Sequence, residues 1–389
     1  MDRLYEYMRL QLNGVKSSFH RYVYDQINWD NRMLGLVGPR GVGKTTLFLQ
    51  RIKEKHDLSN TLYVSVEHLY FANHTLVDTA ERFYKNGGLY LFVDEVHKYE
   101  GWSRELKLIY DSFPDLHVYF TGSSALDIER GEADLSRRAP KYLMQGLSFR
   151  EYLAIERGAD VPVFTLEQIL NHEESLPGVQ HPLPLFAEYL RRGYYPFGSD
   201  TDFAIELNQV ITRTLEVDIP QFANMTIATG RKLKRLMAVV STLVPFKPNF
   251  VSLASQIQAS RNNVEDYLAY MEKAGMIAQL RADAKGMGLL GKVEKVYLDN
   301  TNILYALSDG REDVGTVRET FFFNQARVRC DVRSSAISDF QIDGITFEVG
   351  GKSKGKDQLK GAERGVVVKD DIEYGYGSVV PLWAFGLMY

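Results

Sequence analysis

An α/β fold built on a parallel sheet is predicted for the first part of the chain, and three observations predict it. Short apolar runs recur at Met33–Val37 and at residues 61–66, 88–95 and 117–124. Helical patterns lie between them, as in Leu76–Lys85 and residues 103–112. Such alternation places helices on both faces of a parallel sheet. The third observation is Gly38-Pro39-Arg40-Gly41-Val42-Gly43-Lys44-Thr45-Thr46, which fits G-x-x-x-x-G-K-[ST] at every fixed position.

Each element has a local reason. Met33–Val37 is short and wholly apolar, as a strand buried on both faces requires. The glycines that follow let the backbone wrap close to phosphate groups, and their N–H groups and the next helix's dipole face that negative charge. Thr46 opens the helical pattern, so the motif sits between a strand and a helix N-terminus, as a P-loop nucleotide site needs. Lys44 is expected on the β- and γ-phosphates, and the Thr45 hydroxyl on Mg²⁺. The run 88–95 is apolar until it ends in Asp94 and Glu95. Asp94 is expected to hold Mg²⁺, and Glu95 to orient or deprotonate the attacking water. The run 117–124 ends in Thr121, Ser123 and Ser124, one of which is expected to sense the γ-phosphate. Ligands bind at the carboxyl ends of such strands. The expected cofactors are therefore ATP and Mg²⁺, although no base-reading motif separates ATP from GTP.

Composition sets the class. The chain has 389 residues, 45% hydrophobic and 25% charged, the profile of an ordinary globular protein long enough for several domains. No apolar run approaches the roughly 20 residues needed to span a bilayer. The N-terminus has no apolar signal core, and Cys330 is the only cysteine, which excludes intrachain disulfides and zinc–thiolate clusters. A cytoplasmic protein without a membrane partner is expected. The net charge is −4, yet residues 231–298 carry eleven Lys and Arg against five Asp and Glu, an excess of 11 − 5 = 6. A basic segment in an acidic chain marks a candidate phosphate-backbone contact, or an ordinary solvated face.

Thr121-Gly122-Ser123-Ser124, Ser136-Arg137-Arg138 and Leu147-Ser148-Phe149-Arg150-Glu151-Tyr152-Leu153 together resemble bacterial and archaeal AAA-type ATPases. In that family a "TGSS" strand end precedes a "GR" pair and a "PLSFREY" segment. Here the pair is Arg-Arg, and Gly146 stands where the proline is expected. The resemblance implies that Arg138 is a sensor or finger arginine, acting in cis or from a neighbouring copy in a homo-oligomer. Residues 190–197, Leu-Arg-Arg-Gly-Tyr-Tyr-Pro-Phe, resemble the family's "YLxxGGFP" element.

Residues 158–230 read as a helical linker or lid, with His172 and His181 as surface residues lacking partners at metal-ligand spacing. Residues 231–298 read as a winged helix. A short helix at 251–257, a turn, a helix from Asn262 to Ala274 capped by Ser260, and a strand at 276–280 follow in order. The glycine- and lysine-containing loop 283–292 would form the wing. Arg261, Asn262 and Asn263, with Lys285 and Lys292, are the expected contacts to duplex DNA. The alternative is a lid or protein-contact module.

From Asp299 the chain resembles the same family's C-terminal domain, which is similar to restriction-endonuclease folds. Residues 296–300 resemble its "YFxDxG" motif and residues 318–325 its "GxxxENFV" helix. Independently, residues 339–348 form an expected hairpin around Asp343-Gly344. That register sets Asp339 opposite Glu348, with Cβ atoms about 4.5–5.5 Å apart, the spacing of a Mg²⁺ nuclease site with Glu319 as a third carboxylate. Lys352 lies on the Glu348 face. The other reading is a retained fold whose acids sit on the wet side. The full expectation is a parallel-sheet P-loop NTPase domain of AAA type (1–157), a helical linker (158–230), a winged helix (231–298) and an α+β restriction-endonuclease-like domain (299–389). Nucleotide hydrolysis would rearrange the later modules on DNA, or gate a protein partner.

Overall fold

Strands β1 (Met33–Val37), β2 (Thr61–Ser65), β3 (Tyr90–Asp94) and β4 (His117–Gly122) coincide with the four apolar runs in the computed structural model. This structure describes residues 1–122, 135, 137–223, 225–282, 291–308, 310–355 and 357–389. A fifth strand, β5 (Lys141–Leu143), completes a sheet of order β2-β3-β4-β1-β5, and every pairing in it is parallel. The strands are buried on both faces, which is why they read as continuous apolar runs rather than alternating ones. Strand β4 lies between β1 and β3. The carboxyl ends of β1, β4 and β3 are thus neighbours.

Helices cover both faces. Helix α1 (Asp2–Asn13) buries Leu4, Met8 and Leu12, one residue per turn, and packs on β2. Helix α2 (Lys44–Lys55) buries Leu47, Phe48 and Ile52 against Leu34, Leu36, Phe92 and Tyr119. On the other face, α3 (Leu76–Lys85) and α4 (Trp102–Ser112) cover Leu62, Val64, Leu91 and Val93. Thr75 starts α3 by accepting the Asp78 N–H.

The chain divides into two compact units, Met1–Gln145 and Gly146–Tyr389. Helix Phe149–Arg157, expected in the first domain, belongs to the second unit. Its Phe149 and Tyr152 rings pack on Tyr189, and Phe149 also meets Phe186. Ser148 and Glu151 close a capping box at its start. In the second unit, helices Phe250–Ile257 and Arg261–Lys273 follow Ile227–Leu243 and lead into the antiparallel pair β6 (Ile277–Arg281) and β7 (Val293–Leu298). A second sheet, ordered β12-β11-β10-β9-β8, is formed by β8 (Arg333–Ser334), β9 (Phe340–Ile342), β10 (Ile345–Gly350), β11 (Gly365–Lys369) and β12 (Val379–Pro381). Its β9–β10 hairpin has the expected register, Ile345 with Ile342 and Phe347 with Phe340. Asp343 and Gly344 both adopt positive φ, 49° and 79°, as a tight hairpin turn needs. No helix among the described residues is long and apolar enough to cross a membrane.

The blocks around residues 190 and 299 have structural work in common. Asn302 accepts from the Tyr194 N–H and donates to the carbonyls of Tyr189 and Leu190. Asp299, 3% exposed, pairs with Arg327 at 2.5 Å and accepts from Asn300. Removing one partner of such a buried pair leaves an uncompensated charge. Asp299→Asn is therefore expected to lower unfolding stability by about 3 kcal/mol. A urea midpoint within error of wild type would show that this pair does not hold the second unit together.

Candidate functional site

The P-loop is shaped by three glycines and one buried arginine. Gly41 and Gly43 have φ of 82° and 97°, conformations that side chains rarely adopt. At Gly38 the limit is space, because a Cβ there would lie 2.1 Å from the Met144 carbonyl oxygen. Arg21, 6% exposed, donates to the carbonyls of Val42 and Gln145 at 2.5 and 2.6 Å, tying the loop to the exit of β5. Nothing local in the sequence marks Arg21 for this task. Pro39 and Val42 are buried, Arg40 and Thr45 are half-buried, and Thr46 is exposed on the first turn of α2. Lys44 lies folded over the loop, its ammonium donating to Gly38 O at 2.9 Å and Pro39 O at 2.8 Å.

Opposite the loop stands Asp94, 4% exposed at the end of β3. Its Oδ2 accepts from the Thr45 hydroxyl at 2.8 Å and the Tyr63 hydroxyl at 2.9 Å. Its Oδ1 accepts from the Thr121 hydroxyl. Thr121 in turn accepts the Glu95 N–H at 3.0 Å. Thr121 is therefore committed to holding the two acids, rather than free to sense a phosphate. Ser123, with Ser124, Ser136 and Lys285, lies outside the described residues. Tyr63 was not legible as a site residue, since alternation along a buried strand gives no sign of which hydroxyl meets an acid.

Glu95 adopts a left-handed φ of 58° immediately after β3, a conformation that costs a non-glycine residue about 1 kcal/mol. Its carboxylate lies 3.5 Å from His97 Nε2. Burial pushes the Glu95 carboxyl above the usual glutamate range; Lys44 and Arg40 pull it down, and Asp94 and Glu67 push it up. The Thr45 hydroxyl and the Asp94 carboxylate are hard oxygen donors beside the helix N-terminus, and they fit Mg²⁺.

Arg138 is elsewhere. It forms a forked pair with Asp111, at 3.1 and 3.2 Å, and lies 5.8 Å from the centroid of the Tyr110 ring. Arg32, just before β1, lies over the same ring and binds Tyr110 O and Phe113 O. This places Arg138 at the amino-terminal end of the sheet, whereas Lys44 and Asp94 are at the carboxyl end.

The carboxylates Glu319, Asp339 and Glu348 are each met by a lysine. Lys295 lies 3.2 Å from Glu319 and 3.6 Å from Asp339. Glu348, 1% exposed, is bound by Lys354 and by the Ser338 hydroxyl. The lysine on Glu348 is thus Lys354 and not Lys352. Pairing of β9 stops at Phe340, and Asp339 turns to accept the Val349 N–H at 3.0 Å. Burial and Glu319 push the Asp339 carboxyl up to about 6. Among the described residues no group of three or more Asp, Glu, His or Cys side chains is set to hold a metal. Asp339 and Glu348 are paired with lysines instead, and with Glu319 they form no such group.

Residues 30–153 match the family described as AAA domain. The first unit carries an AAA-type P-loop domain. Residues 183–313 match a domain of unknown function (DUF8612), which covers 231–298 and overlaps parts of the 158–230 and 299–389 divisions expected from sequence. Over 413 aligned positions the chain is 24% identical to the uncharacterized protein MJ1637 of Methanocaldococcus jannaschii, covering 95% of this chain and 86% of that protein. Among solved structures it is similar to the Walker-type ATPase PABY2304 of Pyrococcus abyssi. The identity is 12%, with 74% of this chain and 95% of that one covered and a TM-score of 0.44. It is also similar to PCH-2 of C. elegans, at 15% identity, with 69% and 68% covered and a TM-score of 0.27.

Tyr63 holds the carboxylate, Asp94, that is expected from sequence to bind Mg²⁺. Tyr63→Phe is expected to raise the Mg²⁺ concentration for half-maximal ATP hydrolysis about tenfold or more, corresponding to about 1.5 kcal/mol or more for one hydrogen bond to a charged group. KM for ATP at saturating Mg²⁺ should change little. An unaltered Mg²⁺ dependence would remove Tyr63 from the site.

Proposed function

We propose that the protein binds and hydrolyses Mg²⁺–ATP at Lys44, Thr45, Asp94 and Glu95, and uses the cycle to rearrange the later modules on duplex DNA. The observation that carries the ATPase reading is Asp94, a buried carboxylate fixed by hydroxyls from the P-loop helix and two strands, with Glu95 beside it. The loop N–H groups and the α2 dipole would take the phosphates, and Lys44 would exchange its two carbonyl partners for phosphate oxygens. Mg²⁺, when bound, supplies charge neutralisation between the phosphates. Glu95 would accept the proton of the attacking water, and its raised carboxyl sets where that begins. Below its pKa Glu95 is protonated and cannot accept, so the rate should fall on the acid side at a pH above the ordinary glutamate range. Arg138 would act on the nucleotide of a neighbouring copy in a homo-oligomer.

Glu95→Gln should reduce turnover by about 10²-fold or more, abolish the acid limb and leave nucleotide binding intact, whereas Lys44→Ala should lose binding as well. Turnover retained by both variants would remove the assignment.

Two features support a DNA-facing winged helix at 231–298. One is the order helix, turn, helix, hairpin; the other is exposure of Arg261, Asn262 and Asn263 on the first turn of Arg261–Lys273. Duplex DNA is then expected to stimulate hydrolysis. Arg261→Ala should weaken DNA binding and reduce its salt slope by about one, measured as binding against salt concentration. A protein-gated switch is the second reading. It is favoured by exposed apolar side chains on the same segment, with Val251 66% and Leu243 44% exposed, and a rate indifferent to DNA would select it. For residues 299–389 we take the retained fold over a nuclease, because lysines already neutralise Asp339 and Glu348.

A further inference from the structure

Three arginines from three elements of the second unit line one cavity. Arg281 ends β6, Arg327 caps the helix Val314–Ala326, and Arg333 opens β8. The cavity holds about 220 Å³, small beside sites for drug-sized ligands. Glu272, Phe323, Cys330 and Asp331 share its wall. The proposed ATPase chemistry does not use it.

Each guanidinium carries five N–H donors and no acceptor, and its carboxylate partner takes only some of them. Arg281 forks onto both oxygens of Glu272, with Nη1 at 3.1 Å and Nη2 at 2.6 Å. Glu272 also accepts from the Gln279 backbone N–H and side-chain amide, at 2.8 and 3.1 Å. With two bonds on each oxygen, that carboxylate is filled. Arg327 gives Nη2 alone, to Asp299, and its guanidinium lies 5.3 Å from the centroid of the Phe323 ring. Arg333 sets Nε and Nη2 on one oxygen of Asp331, at 2.9 and 2.8 Å, and that aspartate stands at the rim with its side chain 69% exposed. The arginine side chains are 26%, 20% and 29% exposed in chain order, and none of their nitrogens is buried without a partner. Their spare donors therefore reach solvent, and the inner wall offers more N–H groups than open acceptors.

We propose that this cavity binds a phosphate group. Phosphate oxygens only accept, so they match the spare N–H groups of Arg281, Arg327 and Arg333, and planar guanidinium forks suit such oxyanions. Net charge does not make the selection, because Glu272, Asp299 and Asp331 offset the three arginines one for one. Convergent donors make it, which separates this site from a basic surface. A free phosphate or small phosphate ester and a backbone phosphate of nucleic acid offer the same chemistry. The backbone source rests on the DNA reading above, and the free ion does not.

Cys330, the chain's only cysteine, lines the same cavity and serves as a local reporter. Burial pushes its thiol up to about 11, so labelling by the neutral reagent methyl methanethiosulfonate is followed under mildly alkaline conditions. The full chain carries Lys44→Ala, to remove phosphate held by the P-loop. At constant ionic strength, inorganic phosphate and methyl phosphate are expected to slow labelling saturably, and chloride is not. Arg333→Gln should raise the half-protecting phosphate concentration about tenfold. Its thermal midpoint should stay near the parent's, because the Asp331 it leaves is exposed; Arg281→Gln provides a second reading. Protection by a short mixed-sequence DNA duplex at lower phosphate concentration, weakened by Arg333→Gln, would assign the source to a nucleic-acid backbone. Protection by the small phosphates and none by the duplex would assign it to a free ion or ester. No saturable protection by any of the three, or half-protecting concentrations unchanged in both arginine variants, would overturn the proposal.

Discussion

The first unit depends on solving one problem, how to keep the Asp94 carboxylate buried and oriented. A lone buried carboxylate would neutralise or force the fold open. Here three hydroxyls bind it: Thr45 from the start of α2, Tyr63 from β2 and Thr121 from β4. Each comes from a different element, so the interaction that makes the acid tolerable also fixes the distance between the phosphate loop and the strand facing it. Tyr63 extends this reach, because its ring stacks near Tyr7 of α1, with centroids 6.1 Å apart. Thr121 couples the two acids, since it donates to one and accepts from the backbone of the next.

Acids in the second unit meet the same cost in another way. Asp299 is paired with Arg327, Glu348 with Lys354, and Glu319 with Lys295. These cations neutralise rather than orient.

Local rules carried much of the reading. The P-loop was legible because its chemistry needs fixed spacing over eight residues, and the strands because burial on both faces leaves continuous apolar runs. The β9–β10 hairpin followed from Asp343-Gly344, whose two positive φ angles dictate a two-residue turn and with it the register. The helices 250–257 and 261–273 followed from their 3.6-residue period and the Ser260 cap.

Contacts between distant segments lay beyond those rules. Strand β5 has three residues and a partly exposed edge, too short for any pattern. Arg21 acts on residues 21 and 124 positions away. Sequence alone determined that a phosphate loop, an acidic pair after a buried strand and a tight acidic hairpin exist, because each is written in adjacent residues. Only the tertiary structure decided that Tyr63 and Thr121 hold Asp94, that Arg138 lies at the far end of the sheet, and that lysines occupy Asp339 and Glu348. Strand order and side-chain reach come from packing between elements, and no short stretch of sequence contains them.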